Sequence, residues 1–83
     1  MPKLIKQKRK ERGYTRKQLS ERLGVHEQVI VRWEETNPTR KIQVPTLHEA
    51  EAINQVLKIS YKDLLNDYRE VIEWSLENYT QVK

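Results

Sequence analysis

At 83 residues, with 36% hydrophobic and 34% charged residues and a net charge of +4, the chain has the make-up of one small globular domain. It has no cysteine, which excludes a disulfide framework and any thiolate zinc or iron–sulfur site, zinc fingers included. It has no apolar run of membrane-spanning length and no apolar core of a signal peptide near its start, so the expected location is the cytosol. The charge is unevenly spread: residues 1–41 hold 12 Lys/Arg against 5 Asp/Glu, and residues 42–83 hold 4 against 7. A basic half beside an acidic half implies one surface that faces a polyanion and another kept for something else. A chain this short also leaves much of its surface in water, which makes a dimer the expected state.

In chain order, Lys3 to Arg12 are strong helix formers and Gly13 stands where a helix should stop. Thr15 followed by Gln18 is a capping-box pattern, which predicts a second helix over 16–23 with Leu19, Ser20 and Leu23 inward and Gly24 as its stop. A third helix over about 26–35 turns Ile30 and Trp33 inward and leaves Glu27, Gln28, Val31 and Arg32 on the opposite face. Asn37-Pro38 and Pro45 mark a loop with Arg40 and Lys41 near its middle. Thr46 and Glu49 open a fourth helix with Leu47, Ala50, Ile53, Val56 and Leu57 at helical spacing. Ser60 to Asp63 repeats the cap signal. From Tyr61 onward, Leu65, Tyr68, Ile72, Leu76 and Tyr79 predict one long helix or two short ones. No strand pattern appears, so the fold class is all-α.

Two short helices joined by a tight glycine turn, the second apolar inside and polar outside, match the geometry that lays a recognition helix in the major groove of DNA. The chain resembles the lambda-repressor/Cro (Xre-type) helix-turn-helix regulators of phages and bacteria. The resemblance covers about residues 4–65 and is carried by Lys-Arg-Lys-Glu-Arg-Gly-Tyr-Thr (8–15), Gln-Leu-Ser-Glu-Arg-Leu-Gly-Val (18–25), Ile30 to Glu34 and Leu57-Lys-Ile-Ser-Tyr-Lys-Asp-Leu-Leu65. It implies a five-helix domain over 1–65, with 66–83 as a helical extension, and a homodimer on a palindromic operator in double-stranded DNA. It also implies a structural ion pair of Arg9 with Glu34, base contacts from Glu27, Gln28 and Arg32, and phosphate contacts from Arg16 and from the Arg40-Lys41 loop.

The side-chain chemistry fits those roles independently. Arg32 can make a bidentate contact to guanine, Gln28 can pair with adenine, and Val31 can pack on a thymine methyl. Glu27 can accept from cytosine, or can simply sit favourably at the positive end of the helix dipole. Lys17 adds positive field towards phosphate, and His26 stands where the family favours Ser or Thr, weakening the helix cap unless its imidazole meets a phosphate. Thr36 and Lys58 occupy positions where the family favours glycine, and the loop before Pro45 is longer than usual. Lys58 is expected in a left-handed conformation just past helix 4.

A helix over 66–79 is expected to bury Tyr68, Ile72, Leu76 and Tyr79 against a second subunit or, alternatively, to fold back on its own domain, with Val71 and Trp74 on the flank and Asp67, Glu70, Glu73 and Glu77 in solvent in either case. The alternative is an antitoxin or anti-regulator whose C-terminal helix binds a partner protein. Neither enzymatic activity, nor a metal, nor any small-molecule cofactor is expected, because the chain has no nucleophile–base spacing, phosphate-cradling glycine loop or metal cluster.

Overall fold

The computed structural model describes residues 2–37, 40 and 42–81, with the backbone alone for residues 75 and 78–81. The described residues form six helices and no strand: α1 (Leu4–Glu11), α2 (Arg16–Leu23), α3 (Glu27–Trp33), α4 (Leu47–Leu57), α5 (Tyr61–Asp67) and α6 (Arg69–Gln81). None of the described helices is long and apolar enough to cross a membrane.

Local chemistry sets most of the boundaries. At Thr15 and at Thr46 a full capping box closes: each threonine hydroxyl accepts from the backbone N–H three residues on, and the Gln18 or Glu49 side chain accepts from the threonine N–H. The Ser60 hydroxyl starts α5 by accepting from the Asp63 N–H at 3.1 Å. Gly13 (φ 75°) and Gly24 (φ 71°) end α1 and α2 in the left-handed region, which glycine adopts without the Cβ penalty. The third left-handed position is Lys58, φ 58° and ψ 38°, the cap of α4. Asn54 steadies the turn beyond it by donating from Nδ2 to the Ile59 carbonyl at 2.9 Å.

Helix α1 has no cap of its own. Its first N–H groups are met by a residue more than sixty positions away: the Asp67 Oδ2 atom accepts from the backbone N–H of Lys3 at 2.9 Å and of Leu4 at 3.0 Å. A carboxylate at the positive end of a helix is favourable both as an acceptor and as a charge. Asp67 therefore does not simply face solvent, as its acidic neighbours in the sequence implied.

One core joins all six helices. Ile5, Leu19, Ile30, Trp33, Ala50, Ile53, Leu57, Ile59 and Leu64 are buried together with Tyr68 and Val71, and Leu4, Tyr14, Leu23, Val25, Val29, Ile42, Val56 and Ile72 pack around them. The packed unit thus continues past residue 65. Leu47, at helical spacing with the buried residues of α4, is itself exposed as the first residue of that helix.

The C-terminal segment differs from its expected arrangement. The helix is interrupted at Tyr68 (φ −97°, ψ 2°), yet Leu64, Tyr68, Val71 and Ile72 keep one helical spacing on the core side across the interruption. Tyr68, expected in a subunit interface, is only 1% exposed and belongs to the core of its own chain. Its hydroxyl donates to the Trp33 carbonyl at 2.5 Å. Val71 is buried rather than flanking, Ile72 is half-buried against the core, and Leu76 is 62% exposed. The side chain of Tyr79 lies outside the described residues.

Two measurements follow from these features. Lys58→Gly relieves a left-handed lysine, which costs about 1 kcal/mol, against a partly offsetting gain in chain entropy on unfolding. The melting temperature should rise by a few degrees, and a fall would show that the turn has another geometry. Burial pushes the Tyr68 phenol well above the ordinary tyrosine value, and the nearby Asp67 and Glu34 carboxylates push it the same way. Above pH 10 the unfolded phenol gives up its proton while the folded one keeps it, so stability falls as pH rises, by up to about 1.4 kcal/mol per pH unit from this group. Urea titrations at pH 9 and 11 should show a larger loss for the wild type than for Tyr68→Phe; equal losses would remove Tyr68 as the cause.

Candidate nucleic-acid interface

Helices α2 and α3 are joined at Gly24, whose N–H, like that of Val25, donates to the Ser20 carbonyl. Ser20 is 6% exposed, a small side chain where two helices approach closely, and its hydroxyl donates to the Lys17 carbonyl at 2.6 Å. Helix α3 is pinned to the core through Ile30 and Trp33, both fully buried. That leaves Glu27 and Gln28 exposed, and Val31 and Arg32 half-buried on the way to the surface. The polar face of a short helix is thus held outward by its apolar one.

The end of α3 is fastened from several directions. The Arg9 guanidinium grips the Glu34 carboxylate with two parallel bonds, Nε to Oε2 at 2.8 Å and Nη2 to Oε1 at 3.1 Å, while its Nη1 donates to the Tyr14 carbonyl at 3.0 Å. Such a fork is the strong geometry for an arginine–carboxylate pair. Arg16 adds a second cation to the same carboxylate, Nε to Oε1 at 3.1 Å. The Glu34 side chain is 1% exposed and that of Arg9 9%, whereas Arg16 remains 40% exposed. Arg16, read from the sequence as a phosphate contact, is thus shared between Glu34 and solvent. Nearby, the Gln43 N–H donates to the Arg32 carbonyl at 3.2 Å and brings the loop before α4 against the end of α3.

The remaining cations of the expected interface are exposed: Lys17 on α2 and Arg40 in the loop. His26, also exposed, precedes α3 in an extended conformation without capping the helix through its side chain. Lys41 lies outside the described residues. Three interactions had no signal in the local sequence: the Asp67 cap on α1, the Tyr68–Trp33 bond, and the stacking of Arg22 over the Tyr14 ring, 5.1 Å from its centroid. Each joins positions whose proximity only the fold creates.

The sequence model of the helix-turn-helix family HTH_3 matches residues 5–64, from the first core residue of α1 to the buried Leu64 of α5. The chain belongs to this family, the Xre/lambda-repressor-type helix-turn-helix proteins, which are DNA-binding transcription regulators. Comparison with curated proteins and with solved structures gives no match.

The buried cluster makes a thermodynamic prediction. Glu34→Ala leaves the Arg9 guanidinium buried without its counter-charge and should cost about 3–5 kcal/mol in urea denaturation. Adding Arg9→Ala should restore part of that stability, because an unpaired buried charge is worse than none. Arg16→Ala should cost under about 1 kcal/mol, as expected for a pair with one side in solvent. Strict additivity of the Arg9 and Glu34 changes would contradict the coupling.

Proposed function

We propose that this protein is a sequence-specific transcriptional repressor that acts in the cytoplasm as a homodimer and reads a palindromic operator with α3 in the major groove. The observation that carries the reading is the presentation of α3: Glu27 and Gln28 exposed and Arg32 emerging beside them, on a helix whose inner face and last turn are fixed to the core. Arg32 pairs with O6 and N7 of guanine, Gln28 with N6 and N7 of adenine, Glu27 accepts from N4 of cytosine, and Val31 rests on a thymine methyl. Lys17, His26, Arg40, Lys41 and the solvent-facing part of Arg16 lie against phosphates, fixing register without reading sequence. Occupation of the duplex excludes other proteins from it, which is repression in its simplest form.

Support for the dimer comes from apolar groups left at the surface, Trp74 and Leu76 on α6 together with Val44, Leu47, Tyr61 and Leu65 around the starts of α4 and α5. A second copy of the chain is the occupant proposed for the α6 groups, with Ile72 at the edge of the contact. The acidic character of residues 42–83 keeps that part of the molecule away from phosphate. A two-fold protein on DNA calls for a two-fold site.

Selection of bound duplexes from a random pool tests the proposal. The recovered sequences should carry inverted half-sites about one helical turn, roughly 10–10.5 base pairs, apart. Arg32→Ala should then lose roughly 1–3 kcal/mol and relax the preference at one base pair of each half-site, whereas Arg40→Ala should weaken every duplex alike and lower the salt slope by about 1. A pool without a common sequence, or equal losses for Arg32→Ala on selected and random DNA, would overturn it.

A further inference from the structure

Helix α3 is seven residues long, too short to hold its shape without tertiary support. Its two ends are supported unequally. His26 supplies no side-chain cap at the first turn, where Val29 packs against the core, and the hydrogen bonds to other elements gather at the last turn. There the Arg32 carbonyl accepts from the Gln43 N–H, and Glu34 is gripped by Arg9 and Arg16. Between them lies the carbonyl of Trp33, the last residue of α3, which has no partner within its helix for the usual reason that a helix ends there. Trp33 is fully buried, so water does not serve that carbonyl from the surface.

The group that does serve it is the Tyr68 hydroxyl, from the one residue that separates α5 from α6. Asp67, beside it, caps α1, so the same two-residue junction holds the helix that carries Arg9 and the helix that carries Arg32. Burial keeps the phenol protonated, and hence a donor, throughout the ordinary pH range.

We infer that Tyr68 is a positioning residue for base readout: through its bond to the Trp33 carbonyl it fixes the last turn of α3 and with it the direction from which Arg32 meets a base. Tyr68 touches no DNA in this arrangement. A bidentate contact from arginine to guanine depends on direction, and a lysine or arginine against phosphate depends mainly on charge. Loss of the hydroxyl therefore lowers affinity for the selected operator and leaves affinity for random duplex, and its salt slope, as they were. The inference rests on the proposed reading of DNA by α3.

The test compares Tyr68→Phe with Ile53→Val, a core change in α4 that removes one methylene from a fully buried side chain and destabilises to a similar degree. Affinities for the selected operator and for a random duplex are measured at a temperature where circular dichroism shows every variant folded, and backbone amide exchange is followed in the free proteins. In Tyr68→Phe the operator-to-random ratio should fall about fivefold or more, and the Glu34 and Glu35 amides, which close the end of α3, should exchange faster than in the wild type. Ile53→Val should keep both the ratio and the protection of those two amides relative to the rest of the chain. A Tyr68→Phe protein with the wild-type ratio or unchanged exchange at Glu34 and Glu35, or an Ile53→Val protein that loses the ratio equally, overturns the inference and leaves the regulator reading standing. A wild type that shows no preference among duplexes overturns both.

Discussion

The carboxylate of Glu34 is the point on which the helix-turn-helix part of the molecule turns. It lies at the end of α3 with 1% of its side chain exposed, and it binds Arg9 from α1 and Arg16 from the start of α2. Removing a carboxylate from water costs several kcal/mol, and only close, well-directed partners offset it. Two guanidiniums, one of them bidentate, supply those partners, and the cluster keeps one net positive charge, part of which Arg16 carries to the surface. The arrangement specifies orientation more than it adds stability: a buried ion pair satisfies its hydrogen bonds in one relative placement of the three helices, whereas apolar side chains at the same crossing would tolerate several.

A second organising feature is the junction of α5 and α6. Asp67 and Tyr68 bond to the start of α1 and the end of α3, which are far apart in sequence. The elements that follow the helix-turn-helix are for this reason part of its support and not an appended tail. Tyr68 and Val71 complete the core around Trp33, and α6 departs from that anchored point with its outer apolar groups, Leu76 and Trp74, at the surface.

The parts of the fold governed by neighbours in the chain were legible in the sequence. Thr15 with Gln18 and Thr46 with Glu49 marked two helix starts that form with both bonds of the capping box, Gly13 and Gly24 marked helix ends, and the family's preference for glycine marked Lys58; all three adopt left-handed backbones. Periodicity also located Ile30, Trp33, Ala50, Ile53 and Leu57 in the core. It did not settle what the C-terminal segment packs against: spacing gives a face, and the bond from Tyr68 to a carbonyl 35 residues earlier, which accompanies the packing of that face on the chain's own core, leaves no trace in local spacing. Arg16 was legible as a cation at the start of α2, but its engagement with Glu34 is a property of the assembled core. The separation of charge between the two halves of the chain pointed to a polyanion; the match to the helix-turn-helix family made the polyanion DNA.

Under the proposed reading, the unequal support of α3 bears on how Arg32, Gln28 and Glu27 would divide base readout. Arg32 is next to Trp33 and in the stretch tied to Gln43, Tyr68 and the Glu34 cluster, so its Cα is held by several bonds to other elements. Glu27 and Gln28 stand at the opposite end, exposed and next to a cap without a side-chain bond, where helix termini open most readily. A contact made from a fixed base tolerates little displacement of its partner, because two hydrogen bonds must be satisfied in one plane. A contact made from the first turn can follow a base that shifts. Under the reading proposed above, discrimination should accordingly be concentrated in the base pair assigned to Arg32 and be more permissive in those assigned to Gln28 and Glu27. This gradient arises from where the core clamps the helix, not from the identities of the readers alone.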